Sequence, residues 1–378
     1  MMITEQPETT TALQVSLPRE TLYAGLAQVL KCASNNRFMP IISHVKLEAQ
    51  EGTLTLATTN LGTGIVITLP AEVEYPGVWT ISAKLLAVCV KSLPAKGTVR
   101  LVVEDDHLIV ACGNRTFTLA QGTDGQDFPK MEISLSDGPC TLNSSDLIAG
   151  IKEVQFAAAT DDSRPVFTAI CLHFLGDHAN LVGCDGFRVA VRSIPMEHSI
   201  QTQLLVPAPD MRLLSQLLPS GQPVTLSWNA EWVVFTCGGI RLISKLVDRT
   251  YPNYQQAFPR DHETTITLKK SSLTSMLAAS KPFWRDSSNV LKVVYGGSGV
   301  TFTATSEDLG TFSEQVTTEV TGESDLALNA EYFWQFLKIV TGREVILLLN
   351  GPTSPCLIKP VGREDFCYTL MPMALIGI

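Results

Sequence analysis

Residues Ser244–Pro259 read SKLVDRTYPNYQQAFP, and this stretch joins a strand-like run to the last third of the chain. Pro252 and Pro259 cannot donate a backbone hydrogen bond to a sheet, and each biases the residue before it towards an extended conformation. Two tyrosines and a phenylalanine lie among these breakers, on a segment that is otherwise mostly polar. Aromatic side chains on a stiff connector are typical of a binding edge at the surface. A plain linker, with aromatic rings packed on neighbouring elements, is the alternative that composition leaves open.

Around this connector, one kind of helical segment recurs at intervals of about sixty residues. Each segment has apolar residues at steps of three and four, as in Leu22, Leu26 and Val29. Pro18 suits a first helical turn, and Ser144 or Ser145 suits an N-cap. The predicted helices are Pro18–Lys31, Ala83–Lys96, Ser144–Gln155, Pro209–Leu218, Leu268–Lys281 and Asn329–Arg343.

Between the helices, apolar and polar residues alternate with a period of two, and Gly, Asn and Asp mark turns. The predicted strands include Thr53–Thr58, Val99–Val103, His107–Cys112, Val224–Trp228, Trp232–Cys237, Thr301–Thr305 and Val345–Leu349. Breaks at residues 127–129 and 251–252 group the six helix-plus-strand units into pairs. The pattern predicts an α+β fold of three similar domains, each with two helices packed on antiparallel sheets. The expected domains are residues 1–127, 128–254 and 255–378, with 1–12 as a flexible tail.

The composition is that of a globular chain of two or three domains, since 45% of its 378 residues are hydrophobic and 17% are charged. No apolar run is long enough to span a bilayer, and the first dozen residues lack a signal peptide's apolar segment. The nine cysteines are scattered without a CxxC pair, mostly in apolar contexts such as Cys112 and Cys171. Reduced core cysteines in a cytoplasmic protein are therefore favoured over a secreted disulfide framework.

Three pieces of the sequence match one known family and fall in that family's order. The connector Ser244–Pro259 resembles the linker before the family's third domain, and Gly183–Val191, GCDGFRVAV, resembles its turn-and-strand motif. Leu370–Met373, LMPM, resembles the family's C-terminal signature, and weaker similarity extends along nearly the whole chain. On these residues the chain is similar to the bacterial DNA polymerase III beta subunit, the sliding-clamp family.

The resemblance implies a non-catalytic processivity factor in DNA replication that needs no cofactor. Its expected form is a head-to-tail homodimeric ring of clamp-type domains that encircles double-stranded DNA without sequence preference. Its expected protein partners are the DNA polymerase III alpha subunit, the clamp loader and other proteins with a clamp-binding motif. No membrane partner is expected.

Positive charge is concentrated in the predicted helices, although the whole chain has a net charge of −9. The six segments hold twelve Lys and Arg residues and five carboxylates, which leaves the helices at +7 and the rest at −16. Ordinary solvated helix faces would give the same pattern. The resemblance implies instead that the helices line a ring, where cations meet phosphates without reading bases. The expected DNA-facing residues are Lys31, Arg37, Lys84, Lys91, Lys152, Arg212, Lys270, Lys281 and Lys338.

In the family, the three signature pieces build a surface pocket for short apolar motifs of partner proteins. The pocket that the resemblance implies comprises Phe167, Cys184, Gly186, Phe187, Arg188, Val189, Pro252, Gln256, Ala257, Asn329, Tyr332, Thr353, Pro355, Thr369, Leu370, Met371, Pro372 and Met373. Methionines are adaptable and polarizable, which suits a site for several partners. The alternative is that Met371–Ile378 forms a buried final strand.

The sequence departs from the family pattern at several of these positions. Arg37 matches a loop arginine of an R-x-x-P-I pattern, but the tyrosine pair of well-known members falls at Pro165 and Val166. Phe187 stands where histidine is usual, and Gln256 stands where a basic residue is common. The chain also continues past the MPM signature with ALIGI. These changes leave partner-motif preference and aromatic contact with DNA open.

A head-to-tail dimer needs two different edges. By family position, Phe117 and Leu119 on one edge are expected to meet Leu273, Leu277 and Phe283 of the other subunit, with acidic residues around Glu307–Glu314 adding complementary charge. Alternation along TFTLA fits an exposed sheet edge, and an internal strand fits the alternation equally well.

Catalytic and metal chemistry have little support in the sequence. Cys171, His173, His178 and Cys184 are close together, but their spacing fits no zinc pattern, so no metal site is expected. No nucleophile, base and orienting group occur in a recognisable arrangement, so an enzyme is not expected. Two alternatives stay open: a clamp-like scaffold that binds peptides without encircling DNA, and a hydrolase or metal enzyme using residues 161–185.

Overall fold

A computed structural model describes residues 13–34, 39–120, 122–123, 125, 127–131, 133–134, 140–161, 163–297 and 299–374, except the side chains of residues 197–199. Arg37 and the tail at residues 1–12 lie outside these ranges, so both remain predictions. The chain divides into two compact units. Unit 1 comprises Met1–Ser144 and Gln216–Lys245, and unit 2 comprises Ser145–Ser215 and Leu246–Ile378.

All six predicted helices are present in the described part of the chain, with ends that differ by a few residues. They are Arg19–Val29 (α1), Ala83–Ser92 (α2), Ser144–Val154 (α3), Ala208–Leu217 (α4), Lys270–Asp286 (α5) and Ala330–Ile339 (α6). Asn329 caps α6, because its side-chain oxygen accepts from the backbone N–H of Tyr332 at 3.1 Å. The Ser144 hydroxyl accepts from the backbone N–H of Gln222 at 2.9 Å, where the sequence predicted an N-cap. None of the helices in the described ranges is long and apolar enough to cross a membrane.

The strands are short apart from one long hairpin, as the alternating pattern predicts. They are Leu13–Pro18 (β1), His44–Gln50 (β2), Thr53–Thr59 (β3), Thr63–Pro70 (β4), Glu72–Tyr75 (β5), Gly77–Ser82 (β6), Thr98–Glu104 (β7), His107–Cys112 (β8), Arg115–Leu119 (β9), Cys140–Asn143 (β10), Ala169–Cys184 (β11), Arg188–Pro207 (β12), Pro223–Trp228 (β13), Trp232–Cys237 (β14), Ile240–Lys245 (β15), Thr264–Lys269 (β16), Val290–Gly296 (β17), Gly299–Ser306 (β18), Gly310–Thr317 (β19), Ser324–Asn329 (β20), Glu344–Leu349 (β21), Cys356–Pro360 (β22) and Phe366–Leu370 (β23). Each of the seven predicted strands matches one of these, to within two residues at each end.

Unit 1 contains a five-stranded sheet in the order β5-β1-β7-β8-β9 and an eight-stranded sheet in the order β10-β13-β14-β15-β4-β3-β2-β6. In the larger sheet, β15 pairs antiparallel with β4, with Leu242 opposite Ile65. Helices α1 and α2 pack on these sheets through fully buried residues such as Leu26 and Leu86. Strands from the predicted middle domain therefore extend a sheet of the predicted first domain.

Unit 2 contains a six-stranded sheet in the order β11-β12-β23-β22-β21-β16 and a four-stranded sheet in the order β19-β18-β17-β20. Its larger sheet again joins two predicted domains, since β12 pairs antiparallel with β23. Leu273, Phe333 and Phe336 are fully buried on α5 and α6. The predicted middle domain thus gives strands to both units, and the boundaries near residues 127 and 254 remain a prediction.

Both predicted connectors lie on a sheet. In unit 1, Phe128 packs with a cluster on the eight-stranded sheet that includes Val66 and Ile243. In unit 2, Tyr251 and Tyr254 are only 5% and 7% exposed and pack in an apolar cluster on β11 and β12. The tyrosines of the opening stretch are therefore core residues, as the plain linker interpretation expected. Burial of each ring stabilises the connector by about 2 kcal/mol.

Candidate functional site

A tight turn at residues 185–187 joins β11 to β12 and presents Phe187 to solvent. The carboxylate of Asp185 accepts from the backbone N–H groups of Phe187 at 2.9 Å and Arg188 at 3.1 Å, which closes an Asx turn. Gly186 has a φ of 93°, and a Cβ there would lie 2.7 Å from Nη1 of Arg164. The positive φ favours glycine, and a larger residue would also displace the end of the flexible Arg164 side chain. The turn leaves the Phe187 side chain 58% exposed.

Arg188 lies beneath this turn and is only 6% exposed. Its guanidinium donates to the Asp185 carboxylate at 2.9 Å, to the Gln335 side chain at 2.7 Å and to the Phe156 carbonyl at 2.7 Å. The same group lies 3.9 Å from the centroid of the Tyr332 ring. Because these partners come from α6 and from the 3-10 helix Gln155–Ala157 after α3 as well as from the turn, Arg188 ties three elements together. It supports the pocket from inside and offers little to a bound peptide.

The connector reaches the same region through Tyr254. The Tyr254 hydroxyl accepts from the side-chain amide of Asn180 at 3.1 Å and lies 2.9 Å from Nδ1 of His173. Burial lowers the pKa of His173, which favours the neutral ring. Nδ1 of the neutral ring can accept a hydrogen bond from the Tyr254 hydroxyl. Burial also raises the pKa of Tyr254, which keeps the hydroxyl protonated. A short 3-10 helix, Tyr254–Ala257, then carries the exposed Gln256.

The C-terminal signature is attached to the turn and to the four-stranded sheet. The backbone N–H of Met371 donates to the carbonyl of Phe187 at 2.9 Å, and that of Met373 donates to the carbonyl of Ala327 at 2.8 Å. Met371 is 41% exposed beside the exposed Phe187. These two side chains form an apolar rim, which a buried final strand at this position would not provide. Residues 375–378 lie outside the described part of the chain.

Most of the predicted pocket is brought together within unit 2. Phe167, Cys184, Val189 and Ala257 belong to one apolar cluster with both connector tyrosines. Asn329 and Tyr332 begin α6, beside Arg188. Pro355 precedes β22, whose first residue pairs with Leu370, and Thr353 is exposed in the same loop. Pro252 is exposed on the connector, and Pro372 lies between the two rim-side methionines.

Two more predicted pocket residues are buried, in addition to Cys184, Arg188 and Val189, which lie beneath the surface at 6–7% exposure. Thr369 and Leu370 are 2% and 1% exposed, because they lie in β23 between two neighbouring strands. Their side chains cannot line an open surface, although their backbone positions Met371. The sequence signature marks where the chain lies, and the neighbouring strands decide which side chains face out.

The helices carry a smaller positive charge than predicted. Within the observed helix ends there are nine Lys and Arg residues and six carboxylates, a net charge of +3. The sign agrees with the prediction, but Lys31, Lys96, Lys269 and Arg343 lie in residues that flank the helices. Glu153, one of the six carboxylates, is 7% exposed and pairs with Arg192 and Arg363.

The predicted DNA-facing cations differ in their surroundings. In unit 1, Lys31, Lys84 and Lys91 are exposed, and Leu85 and Val88 on the outer face of α2 are 39% and 66% exposed. In unit 2, Lys152, Arg212 and Lys338 are exposed. Lys270 instead donates to the Val340 carbonyl at 2.6 Å. Its positive charge therefore stabilises the C-terminal end of α6, where the helix dipole is negative. The Nζ atoms of Lys281 and Lys338 lie 5.9 Å and 4.9 Å from the centroid of the Trp334 ring.

Two strands lie at the edges of sheets where the dimer contacts were predicted. The first four residues of TFTLA lie in β9, which is at the edge of the five-stranded sheet among the described residues, as the exposed-edge interpretation predicts. Phe117 is half-buried there, but Leu119 is 7% exposed. Leu273 and Leu277 are fully buried in the core beneath α5, so their prediction as contact residues is wrong. Phe283 is half-buried, and its ring lies 6.2 Å from that of Phe312 on β19, at the edge of the four-stranded sheet.

The Cys and His residues near the hairpin do not form a reactive centre. Among the described residues, no group of three or more potential ligands is placed to hold a metal ion. Burial raises the pKa of Cys171 to about 12 and that of Cys184 to about 11, so both thiols stay protonated. His173 pairs with Tyr254, and His178 lies 2.6 Å from its neighbour Asp177.

Sequence reasoning missed three residues that organise this region. Asp185 closes the turn, and an Asp-Gly pair between two strands is a turn signal that would have identified it. Arg164 lies over Gly186, and Gln335 accepts from Arg188. Neither has a local signal, because each meets its partner through tertiary packing.

Comparison with known families finds three matches that follow one another along the chain. Residues 13–132 match the N-terminal domain of the DNA polymerase III beta subunit, residues 141–253 its central domain and residues 255–374 its C-terminal domain. Together the three matches span nearly all of the described residues.

Individual proteins agree with these family matches. A beta sliding clamp from Synechocystis is 27% identical over 383 residues, covering 94% of this chain and 98% of its own. One from Pseudomonas putida is 26% identical, covering 96% and 100%. A crystal structure of a sliding clamp from Pseudomonas aeruginosa bound to griselimycin superposes with a TM-score of 0.90 at 24% identity, covering 96% and 100%. One from Bacillus subtilis gives 0.91 at 20% identity, covering 97% and 100%.

Proposed function

Because the chain belongs to the DNA polymerase III beta subunit family, we propose that it acts as a DNA sliding clamp that keeps the replicative polymerase on its template. A clamp of this family is a scaffold that encircles DNA and binds partner proteins, and it catalyses no reaction. DNA, a polymerase and a second copy of the chain are the partners that this family membership implies.

The observation that carries the proposal is an apolar surface to which three distant parts of the chain contribute. The turn at Gly186, the connector at Tyr254 and the tail at Met371 meet through one apolar cluster and one backbone hydrogen bond. Its rim exposes Phe187 and Met371, whereas Arg188 keeps its charge buried. An exposed apolar rim over a rigid base suits a short peptide with leucine and phenylalanine side chains.

We assign this pocket to the DNA polymerase III alpha subunit, the clamp loader and other proteins with a clamp-binding motif. A shared pocket requires these partners to bind one at a time. Phe187 gives the rim an apolar side chain and Gln256 a neutral polar one, so apolar peptide side chains are expected to contribute more to affinity than acidic ones.

The pocket is tested with a leucine- and phenylalanine-rich peptide and the variant Met373→Asp. Met373 anchors the tail to Ala327 and lies two residues after the rim. A carboxylate at this position would be desolvated by an apolar ligand, so the variant is expected to lose at least tenfold in affinity by calorimetry. Equal affinity for both proteins would reject the pocket. Val294→Asp, at an exposed apolar residue of β17, is the matched control.

The ring itself requires two edges that pair between copies. Within the described residues, β9 and β19 each have a hydrogen-bonded neighbour on one side only. An uncovered edge strand presents unpaired N–H and C=O groups, which another strand can complete. Because β9 belongs to unit 1 and β19 to unit 2, pairing one with the other between copies gives a head-to-tail dimer. Arg115 on β9 and Glu314 on β19 provide opposite charge for this contact.

Solution mass tests the dimer. A closed ring of two copies is expected to sediment at twice the chain mass of 41.1 kDa over a wide range of protein concentration. A monomer would contradict the ring and would favour a peptide-binding scaffold that does not encircle DNA. The expected location is the cytoplasm, in keeping with nine cysteines of which none forms a disulfide.

Contact with DNA is assigned to exposed helix cations of both units. Lys84 and Lys91 on α2, Lys152 on α3 and Lys338 on α6 are exposed. Their ammonium groups suit phosphates, which carry no base identity, so binding is sequence-independent and weakens with salt. The net charge of −9 for the whole chain disfavours DNA elsewhere on the surface.

A further inference from the structure

Trp334 on α6 lies close to two lysines, one on α6 and one on α5. The Trp334 ring centroid lies 4.9 Å from Nζ of Lys338 and 5.9 Å from Nζ of Lys281. Lys338 is one turn further along the same helix, and Lys281 belongs to α5. A cation within about 6 Å of an aromatic centroid is stabilised by the ring's negative face. Trp334 therefore brings two ammonium groups from two helices to one ring.

The charges around this ring leave it positive. Neither lysine has a carboxylate within 4.0 Å in the described part of the chain. The carboxylates of Glu331 and Asp286 on the same two helices accept from Gln335 and Ser306 and form no ion pair with these lysines. Arg285, one turn after Lys281, is exposed and adds a third cation. Two cations that share a ring repel each other, so an anion is the ligand that this arrangement favours.

A comparison with Trp284 on α5 indicates that Trp334 is more than a core residue. Trp284 is fully buried, and its indole N–H donates to the Leu277 carbonyl at 3.2 Å. The Trp334 side chain is half-buried, and its indole N–H is buried with no acceptor among the described residues. Buried tryptophans usually pair this group. The ring of Trp334 is thus placed by its packing and by the two cations, without a hydrogen bond that fixes it.

We propose that Lys281, Trp334 and Lys338 form a contact site for a DNA phosphate, in which Trp334 is the positioning residue. The ring holds both flexible lysine side chains close to one point, so less side-chain freedom is lost when a phosphate binds between them. The contact reads no base. This inference rests on the proposed function, because it deepens the DNA contact assigned to these helices.

The test is the salt dependence of binding to a fluorescent 30-base-pair duplex, measured by anisotropy on the full-length protein. Each phosphate contact contributes about 0.9 to the slope of log K against log salt, and this site holds one phosphate, so Lys281→Gln/Lys338→Gln is expected to lower the slope by about 0.9. Trp334→Leu keeps both lysines, and it is expected to lower the slope by at least half as much as the double lysine variant does. Trp334→Phe restores an aromatic face and is expected to recover most of it. Lys292→Gln, at a half-buried lysine of β17 paired with Asp325, is the control and is expected to keep the wild-type slope.

A purely structural role for Trp334 gives a different result. In that case Trp334→Leu and Trp334→Phe would both keep the wild-type slope, and this outcome overturns the inference while leaving the clamp function intact. If Trp334→Leu does not fold, the lysine pair and Trp334→Phe still decide the question. A wild-type protein that does not bind the duplex at any salt concentration would overturn the proposed DNA contact together with the inference.

Discussion

Two aromatic rings of α6 each lie against the cationic group of a basic side chain, and the two cationic groups differ in burial and in their partners. Tyr332 packs against the guanidinium of Arg188 at 3.9 Å, and Trp334 packs against the ammonium of Lys338 at 4.9 Å. Arg188 is 6% exposed and has three hydrogen-bond acceptors, whereas Lys338 is exposed and has no carboxylate partner in the described part of the chain. The same kind of contact therefore holds the docking pocket together at one site and leaves a charge free for a ligand at the other.

Burial decides which of these two roles a cation has. A buried charge is stable only when it is paired, so removing Arg188 leaves acceptors on three elements without a donor. An exposed charge is hydrated whether or not it has a partner, so removing it costs little folding free energy. Arg188 is consequently expected to affect stability, and Lys338 to affect binding.

The largest expected effect is that of Arg188→Ala. The change leaves the Asp185 carboxylate buried without its partner, so the free energy of unfolding is expected to fall by about 3–5 kcal/mol. Urea denaturation followed by circular dichroism measures the loss. Arg249→Ala, at an exposed arginine, is the control and is expected to stay within about 0.5 kcal/mol. A loss below about 1 kcal/mol for Arg188→Ala would mean that its hydrogen bonds are not needed for the fold.

Phe187→Ser comes next, and its effect is on docking. Phe187 is 58% exposed, so the variant is expected to fold as the wild type does. A bound peptide would cover the ring, and the loss of that contact is expected to weaken binding by about 10- to 100-fold. Calorimetric titration with a leucine- and phenylalanine-rich peptide measures the change, and Val294→Ser, at a similarly exposed apolar residue, provides the matched control. An unchanged affinity would remove Phe187 from the rim.

Tyr254→Phe tests how the connector is attached. The variant keeps the buried ring but leaves the Asn180 amide and His173 Nδ1 without the hydroxyl. We expect a loss of about 1 kcal/mol in the free energy of unfolding, measured by urea denaturation. Tyr75→Phe, at a tyrosine that is 53% exposed, is expected to change nothing. A neutral result for Tyr254→Phe would show that ring packing alone holds the connector.

His173 predicts a small pH dependence of stability. Burial lowers the pKa of His173 below its usual 6.5, with the nearby His178 as a second cause. The unfolded chain then binds more protons than the folded chain in this range, so stability is full above about pH 6.5 and falls as the pH drops towards the lowered pKa. Thermal unfolding between about pH 7.5 and pH 5.5 is expected to show a shallower decline for His173→Gln. An identical decline in both proteins would assign the pH dependence to other groups.

Much of the fold was predictable, because its signals are local. The three- and four-residue steps predicted all six helices, and the two-residue alternation predicted strands such as His107–Cys112. Family motifs also placed the turn at Gly186 and the tail at Met371 in one pocket. The middle of the chain differed from expectation, since its strands complete sheets in both units. Strand pairing between distant segments leaves no periodic signal in a single sequence.

The roles of individual side chains were harder to predict. Leu273 and Leu277 were expected at a subunit contact, yet both are fully buried beneath α5. Arg188 and Lys338 are both basic residues in the sequence. Their neighbours in the fold determine that Arg188 is buried and paired and that Lys338 is exposed. These distinctions depend on what packs over a residue, which is a property of the folded chain.

Two copies are expected to enclose DNA without binding it tightly, and cutting a loaded circular DNA decides whether they do. Rings loaded by the clamp loader onto nicked circular DNA are separated from free protein, and the circle is then cut once with a restriction enzyme. A topological link predicts that the protein stays on the uncut circle and leaves the cut DNA by sliding off its ends. Equal retention on circular and cut DNA would mean that the protein holds DNA by direct binding and does not encircle it.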